Sequence, residues 1–107
     1  MEQQRIRTEH DAAVRMLALQ LLCRGYEVKA RIEGWFEQPD YIFDYRPDIV
    51  ACKAGTYFIV EVKKGEGDWP KITALERFQR EHQQFRVKII SSVQALAQPD
   101  VIVDEFK

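Results

Sequence analysis

The chain has 107 residues, 46% of them apolar and 31% charged, which supports one compact domain over residues 1–107 and leaves no room for a second. Its formal charge of -1 excludes a bulk-charge argument for nucleic-acid affinity, so any such contact must come from a local basic patch. Two cysteines without zinc-site spacing, a polar N-terminus and no apolar run long enough to span a bilayer point to a soluble, cytoplasmic protein with no membrane role and with Cys23 and Cys52 as reduced core residues.

From Thr8 to about Arg24 the residues Ala13, Val14, Leu17, Ala18, Leu21 and Leu22 recur at helical spacing. Thr8 is placed as N-cap, Asp11 as its capping partner and Gly25 as the stop. Tyr26, Val28, Ala30 and Ile32 then alternate with charged residues, the period of a strand with one apolar face. Residues 34–47, GWFEQPDYIFDYRP, break both periods yet contain five aromatics. This stretch is expected to be a loop or irregular hairpin covering one sheet edge, with a substrate-stacking surface or a dimer contact as alternatives.

DIVACK and TYFIVEVK, joined at Ala54 and Gly55, read as a hairpin buried on both faces. After the loop KGEGDW, Pro70 opens a second helix that runs to about Gln83 with Ile72, Leu75 and Phe78 on one side. Phe85, Val87 and Ile89 mark a fourth strand, followed by a helical turn from Val93 to Ala97 and a last apolar segment, VIVDEF. Strand, helix, strand is a crossover unit, so the third and fourth strands should be parallel and the first three an antiparallel meander. The expected fold class is α/β, a three-layer α/β/α arrangement with a mixed sheet of four to five strands.

Within the apolar hairpin stand three charged residues, Asp48, Glu61 and Lys63. A two-residue turn at Ala54-Gly55, or a four-residue turn from Lys53 to Thr56, sets Cys52 opposite Tyr57 and Asp48 opposite Glu61. Lys63 then shares their face while Phe58, Val60 and Val62 point away. A three-residue turn with a bulge would spoil that opposition. Two facing carboxylates out of water repel, so a cation belongs between them. Mg2+ or Mn2+ suits an all-oxygen site with one or two carboxylates, waters and a phosphate oxygen, and a neighbouring lysine could support attack by water.

Pro47-Asp48, twelve residues, then Glu61-Val62-Lys63 resembles the signature of the PD-(D/E)xK nuclease superfamily. The order helix, three-strand meander, helix, strand resembles that superfamily's restriction-endonuclease-like core over nearly the whole chain. Pro39-Asp40 and Pro99-Asp100 are not followed by Glu-x-Lys at hairpin distance. The resemblance implies that Asp48 and Glu61 bind the metal together with the Val62 carbonyl, and that Lys63 is the catalytic lysine. Relatives such as Holliday-junction resolvases add an acid near the start of the first helix, which falls on Glu9. Glu9 precedes Ala13 and Leu17 by one and two turns and should point toward the sheet, while His10 should face solvent or the helix edge. A polar residue of the second helix falls on Gln79 as an accessory, although relatives often carry it nearer the helix start, where this chain has Thr73. His82 on that stripe reads as a partly buried histidine rather than a ligand.

Lys64, Lys71 and Arg7 are the candidate nucleic-acid contacts, with solvated helix faces as the plain alternative. Trp69 beside Pro70 either stacks on a base or staples the helix start, the latter being favoured. The implied activity is a Mg2+- or Mn2+-dependent endonuclease acting on a DNA substrate, structure-selective rather than sequence-reading, because the small domain carries no obvious sequence-reading insertion. Resolvase-like work would need a homodimer. The alternatives are a nuclease-fold module that binds nucleic acid or protein without turnover, and the nuclease subunit of a larger complex that supplies the DNA affinity.

Overall fold

The computed structural model describes residues 2–106, with side chains from Arg7 onward. In chain order it contains α1 (Glu2–Cys23), β1 (Glu27–Ala30), β2 (Ile49–Lys53), β3 (Thr56–Lys63), α2 (Trp69–Glu81), β4 (Phe85–Ser91), α3 (Ser92–Ala97) and α4 (Pro99–Asp104). The fold is α/β, with one open mixed sheet in the order β1-β2-β3-β4. The first three strands are antiparallel and β4 runs parallel to β3, as a crossover through α2 requires.

The hairpin adopts the two-residue turn. Ala54 and Gly55 have φ of 53° and 81°, both left-handed, which is the backbone of the turn that matches strand twist. Cys52 therefore opposes Tyr57 and Ile49 opposes Val60. Alternation then divides the side chains between two cores. On one side Val28, Ala30, Ile49, Ala51, Phe58, Val60, Val62 and Ile90 pack against Ala13, Val14, Leu17, Ala18 and Leu21 of α1, with Ala95, Val103 and Phe106 closing the cluster. On the other, Ile59 packs with Leu75 of α2 and with Ile42, flanked by Val50, Phe78, Phe85 and Val87. The charged positions of the hairpin fall on the side of Ile59, at the end of β3.

Several expectations are corrected. α1 begins at Glu2, so Thr8 lies inside the helix and is not its N-cap. The preceding residues, EQQRIR, are good helix formers without a breaker, and they extend the helix beyond its apolar stripe. The chain's last apolar segment is α4, not a fifth strand. Pro99 sits in the first turn of α4, and the buried residues Pro99, Val103 and Phe106 recur at helical spacing inside a run that reads as continuous. Cys23 is exposed and Cys52 half-buried, both as free thiols, so neither is a core residue.

The segment between β1 and β2 does cover the sheet edge. Trp35 Nε1 donates to the Val28 carbonyl at 3.0 Å, Ala30 N to the Glu37 carbonyl at 3.1 Å, and Gln38 Nε2 to the Ile32 carbonyl at 2.8 Å. These bonds occupy backbone groups that an edge strand would otherwise leave open. None of the helices among the described residues is long and apolar enough to cross a membrane.

Candidate active site

Asp48 sits immediately before β2, where Pro47 precedes it and its carbonyl accepts from Arg31 N at 2.8 Å. Its side chain is buried, with the residue 2% exposed. Oδ2 accepts from Val62 N at 2.9 Å and lies 3.2 Å from Nε2 of His10 on α1. Glu61, 7% exposed, comes from the same side of β3 as Ile59. Its Oε1 accepts from Asp48 N at 3.3 Å, and its Oε2 pairs with Lys71 Nζ of α2 at 2.8 Å. Glu61 thus accepts from the backbone of Asp48, and Asp48 from the backbone of Val62 next to Glu61, which the hairpin register makes possible.

These groups line one cavity of about 350 Å3, into which His10, Arg31, Lys63 and Lys71 also reach. The expectation that Asp48, Glu61 and Lys63 meet on one face therefore agrees with the structure, as does the position of Val62 beside them. Lys64 lines the cavity mouth, and with Arg7 it borders an adjoining hollow that also contains His10 and Arg31.

The electrostatics follow from burial. Removal from water pushes the Glu61 carboxyl up to about 7, and the nearby Asp48 charge adds to the rise while Lys71 opposes it. Burial also pushes Asp48 upward, but the hydrogen bond and charge of His10, the Val62 N–H and Lys71 outweigh it and hold Asp48 below its ordinary value. The Asp48 hydrogen bond in turn raises His10 above the usual imidazole value against the cost of its burial. The pair of carboxyls accordingly shares one strong acid and one weak one.

Several sequence expectations change here. Glu9 is exposed, and the α1 side chain facing the cavity is His10, one position on. The stripe of Ala13, Val14, Leu17 and Ala18 has its centre between paired positions, and stepping back one turn from that centre lands on residue 10 rather than 9. Lys71 is not a solvated phosphate contact but is buried at 8% exposure against Glu61. It precedes Leu75 and Phe78 by one and two turns, so the apolar stripe of α2 carries it inward. Gln79 faces away from the site, where its Oε1 accepts from Val87 N at 2.6 Å and caps the start of β4. His82 stacks on Phe78, ring centroids 4.0 Å apart, as a half-buried structural residue, and Trp69, expected to staple the helix start, is exposed.

The donor set fits a hard divalent cation. Asp48 and Glu61 offer carboxylate oxygens, and because burial and then the Asp48 charge raise Glu61, a cation arriving between them would favour its ionised form. Among the described residues no group of three or more His, Cys, Asp or Glu converges. A cation held here would therefore take most of its shell from water and phosphate oxygens, as Mg2+ commonly does. Compared with protein-family models, with curated proteins and with solved structures, the chain matches none.

Proposed function

We propose that this chain is a metal-dependent nuclease of the PD-(D/E)xK kind, built on a three-layer restriction-endonuclease-like core and hydrolysing phosphodiester bonds in DNA. The observation that carries the reading is the burial of Asp48 and Glu61 against each other in one cavity with Lys63. Asp48, Glu61 and the Val62 carbonyl would hold Mg2+ or Mn2+, which supplies Lewis-acid polarisation of the scissile phosphate and a more acidic water. Lys63 presents an ammonium to the non-bridging oxygens, where negative charge grows during attack. His10 keeps Asp48 ionised and oriented through the 3.2 Å contact, and Lys71 orients Glu61.

A second reading has its own support. Each acid already has a partner from the protein, His10 on Asp48 and the Lys71 ammonium on Glu61, so the oxygens of the pocket are partly engaged from within. That favours a nuclease-fold module that binds nucleic acid without turnover.

Purified protein incubated with branched, single-stranded and duplex DNA plus Mg2+ or Mn2+ separates the two. Cleavage is expected in the native chain and is expected to fall by roughly a hundredfold or more in both Asp48→Ala and Lys63→Ala. Cleavage that survives both substitutions rejects the proposed site. Binding that both variants retain, without cleavage by any form, supports the module.

A further inference from the structure

A smaller cavity, about 260 Å3, adjoins the site on the side of α2 and the 34–47 loop. It shares Arg31 and Lys71 with the acidic pocket and adds Tyr41, Tyr45 and Arg46. Arg46 is two residues before Asp48, and Pro47 between them limits the freedom of the backbone that joins them. Its guanidinium lies over the Tyr41 ring, 4.8 Å from the centroid. Its Nε is buried and has no hydrogen-bond partner, the one such side-chain nitrogen or oxygen among the described residues. A buried guanidinium N–H left unpaired is costly, and Arg46, which lines the cavity, makes no ion pair among the described residues that would hold its guanidinium away from an anion there. Arg31 likewise makes no ion pair among the described residues, whereas Lys71 is engaged by Glu61.

Tyr41 continues this surface into a further hollow of about 240 Å3, bounded by Asp40, Ile42, Val50, Tyr57, Phe78 and Phe85. That hollow is mainly apolar and aromatic. Tyr41 itself is 62% exposed, with the Arg46 guanidinium over its ring. The three cavities thus form a track in which the pocket of Asp48 and Glu61 meets a cavity lined by two arginines and then an aromatic slot.

We infer that Arg31 and Arg46 form a subsite for the phosphate next to the scissile one, and that Tyr41 stacks the adjoining unpaired base, so that the substrate is a single-stranded segment of nucleic acid. The inference rests on the nuclease reading for the position of the scissile phosphate. A guanidinium fork matches phosphate oxygens in a way an ammonium does not. A stacking ring beside an apolar slot recognises a base only when the base has left its duplex partner, since paired bases keep their faces against their neighbours. Asp44 and Asp68 also border the cavity, which weakens long-range attraction and places the burden on these direct contacts. Asp68 is partly engaged already, because its Oδ1 caps α2 by accepting from Lys71 N.

The test is fluorescence anisotropy in EDTA with a short labelled DNA strand, alone and annealed to its complement, so that no turnover intervenes. The native chain is expected to bind the single strand more tightly than the duplex. Tyr41→Ala, at an exposed position that folding tolerates, should weaken single-strand binding by roughly five- to fiftyfold, and Tyr41→Trp should restore it. Arg46→Gln should weaken binding similarly and reduce the salt slope, while Arg46→Lys recovers the slope but not the full affinity. Equal affinity for strand and duplex, or native-like binding by Tyr41→Ala and Arg46→Gln, overturns the subsite. Cleavage assays on the same proteins with Mn2+ separate the two readings. Cleavage that needs Asp48 but ignores Tyr41 and Arg46 removes only the subsite, and strand binding that needs both without any cleavage removes only the nuclease.

Discussion

At the scale of single residues, the acidic pair sets a definite pH behaviour. Glu61 has an ordinary value of 4.5 and rises to about 7 in the fold. Its contribution to stability is fully present below its unfolded value and is lost as pH climbs to about 7, on the order of 3 kcal/mol from roughly 1.4 kcal/mol per unit. His10, raised above 6.5, acts in the same sense, with its contribution lost as pH rises through its folded value. Asp48, lowered from 3.8, acts oppositely and its contribution is lost as pH falls through its folded value. Denaturant unfolding in EDTA should therefore show a stability maximum in mildly acidic solution and a decline toward about pH 8. Glu61→Gln should flatten that decline, and Mn2+ at about pH 8 should restabilise the native chain but not the variant. Stability that rises steadily over the same range would contradict the buried pair. The residues behind this behaviour were unequally legible. Asp48, Glu61 and Lys63 could be found because a hairpin converts sequence spacing into facing positions. Arg31 could not, because its place beside Asp48 depends on pairing β1 with β2 across residues 31–48, and no local rule fixes a register over so long a connection.

At the scale of elements, the loop between β3 and α2 holds the lysine in place. Gly67 has a φ of +87°, and a Cβ there would stand 3.1 Å from Ile72 Cδ1 and 3.3 Å from Lys63 Cβ. Gly67→Ala should therefore cost about 1–2 kcal/mol through left-handed backbone strain and also push on Lys63 and Ile72. Loss of cleavage beyond what the stability change explains is expected, measured well below the melting temperature. In a Lys63→Ala background the same change should cost stability with little further loss of activity. Additive activity losses would show that the glycine acts elsewhere. Helix α2 and strand β4 could be read from pattern because each repeats its own period. The 34–47 segment could be read as an irregular cover of the sheet edge but not in its internal path, since Ile42 and Trp35 are placed by the cores they enter and Phe43 takes a φ of 54° that only its surroundings explain.

At the scale of the whole molecule, a formal charge of -1 must be reconciled with the polyanionic substrate proposed for the site. Bulk attraction is absent, so binding has to come from the few cations concentrated along the track, chiefly Arg31, Arg46, Lys63 and Lys64. Each phosphate neutralised on a single strand contributes about 0.7 to the slope of log affinity against log salt. Four contacts give a slope near about -3, and affinity should fall roughly fiftyfold between about 50 and 200 mM salt. A strongly basic binder would lose several thousandfold over that interval by the same rule. Anisotropy measured across the range distinguishes these regimes, and a slope near zero would mean that the track does not hold phosphates at all. The shallow dependence expected here would also have a structural cause. Lys71, which looks like a free cation in the sequence, is consumed by Glu61 inside the site and is not available to neutralise substrate phosphate. Removing its charge with Lys71→Met should therefore leave the salt slope unchanged while altering metal dependence, whereas Lys64→Met should lower the slope by about one contact.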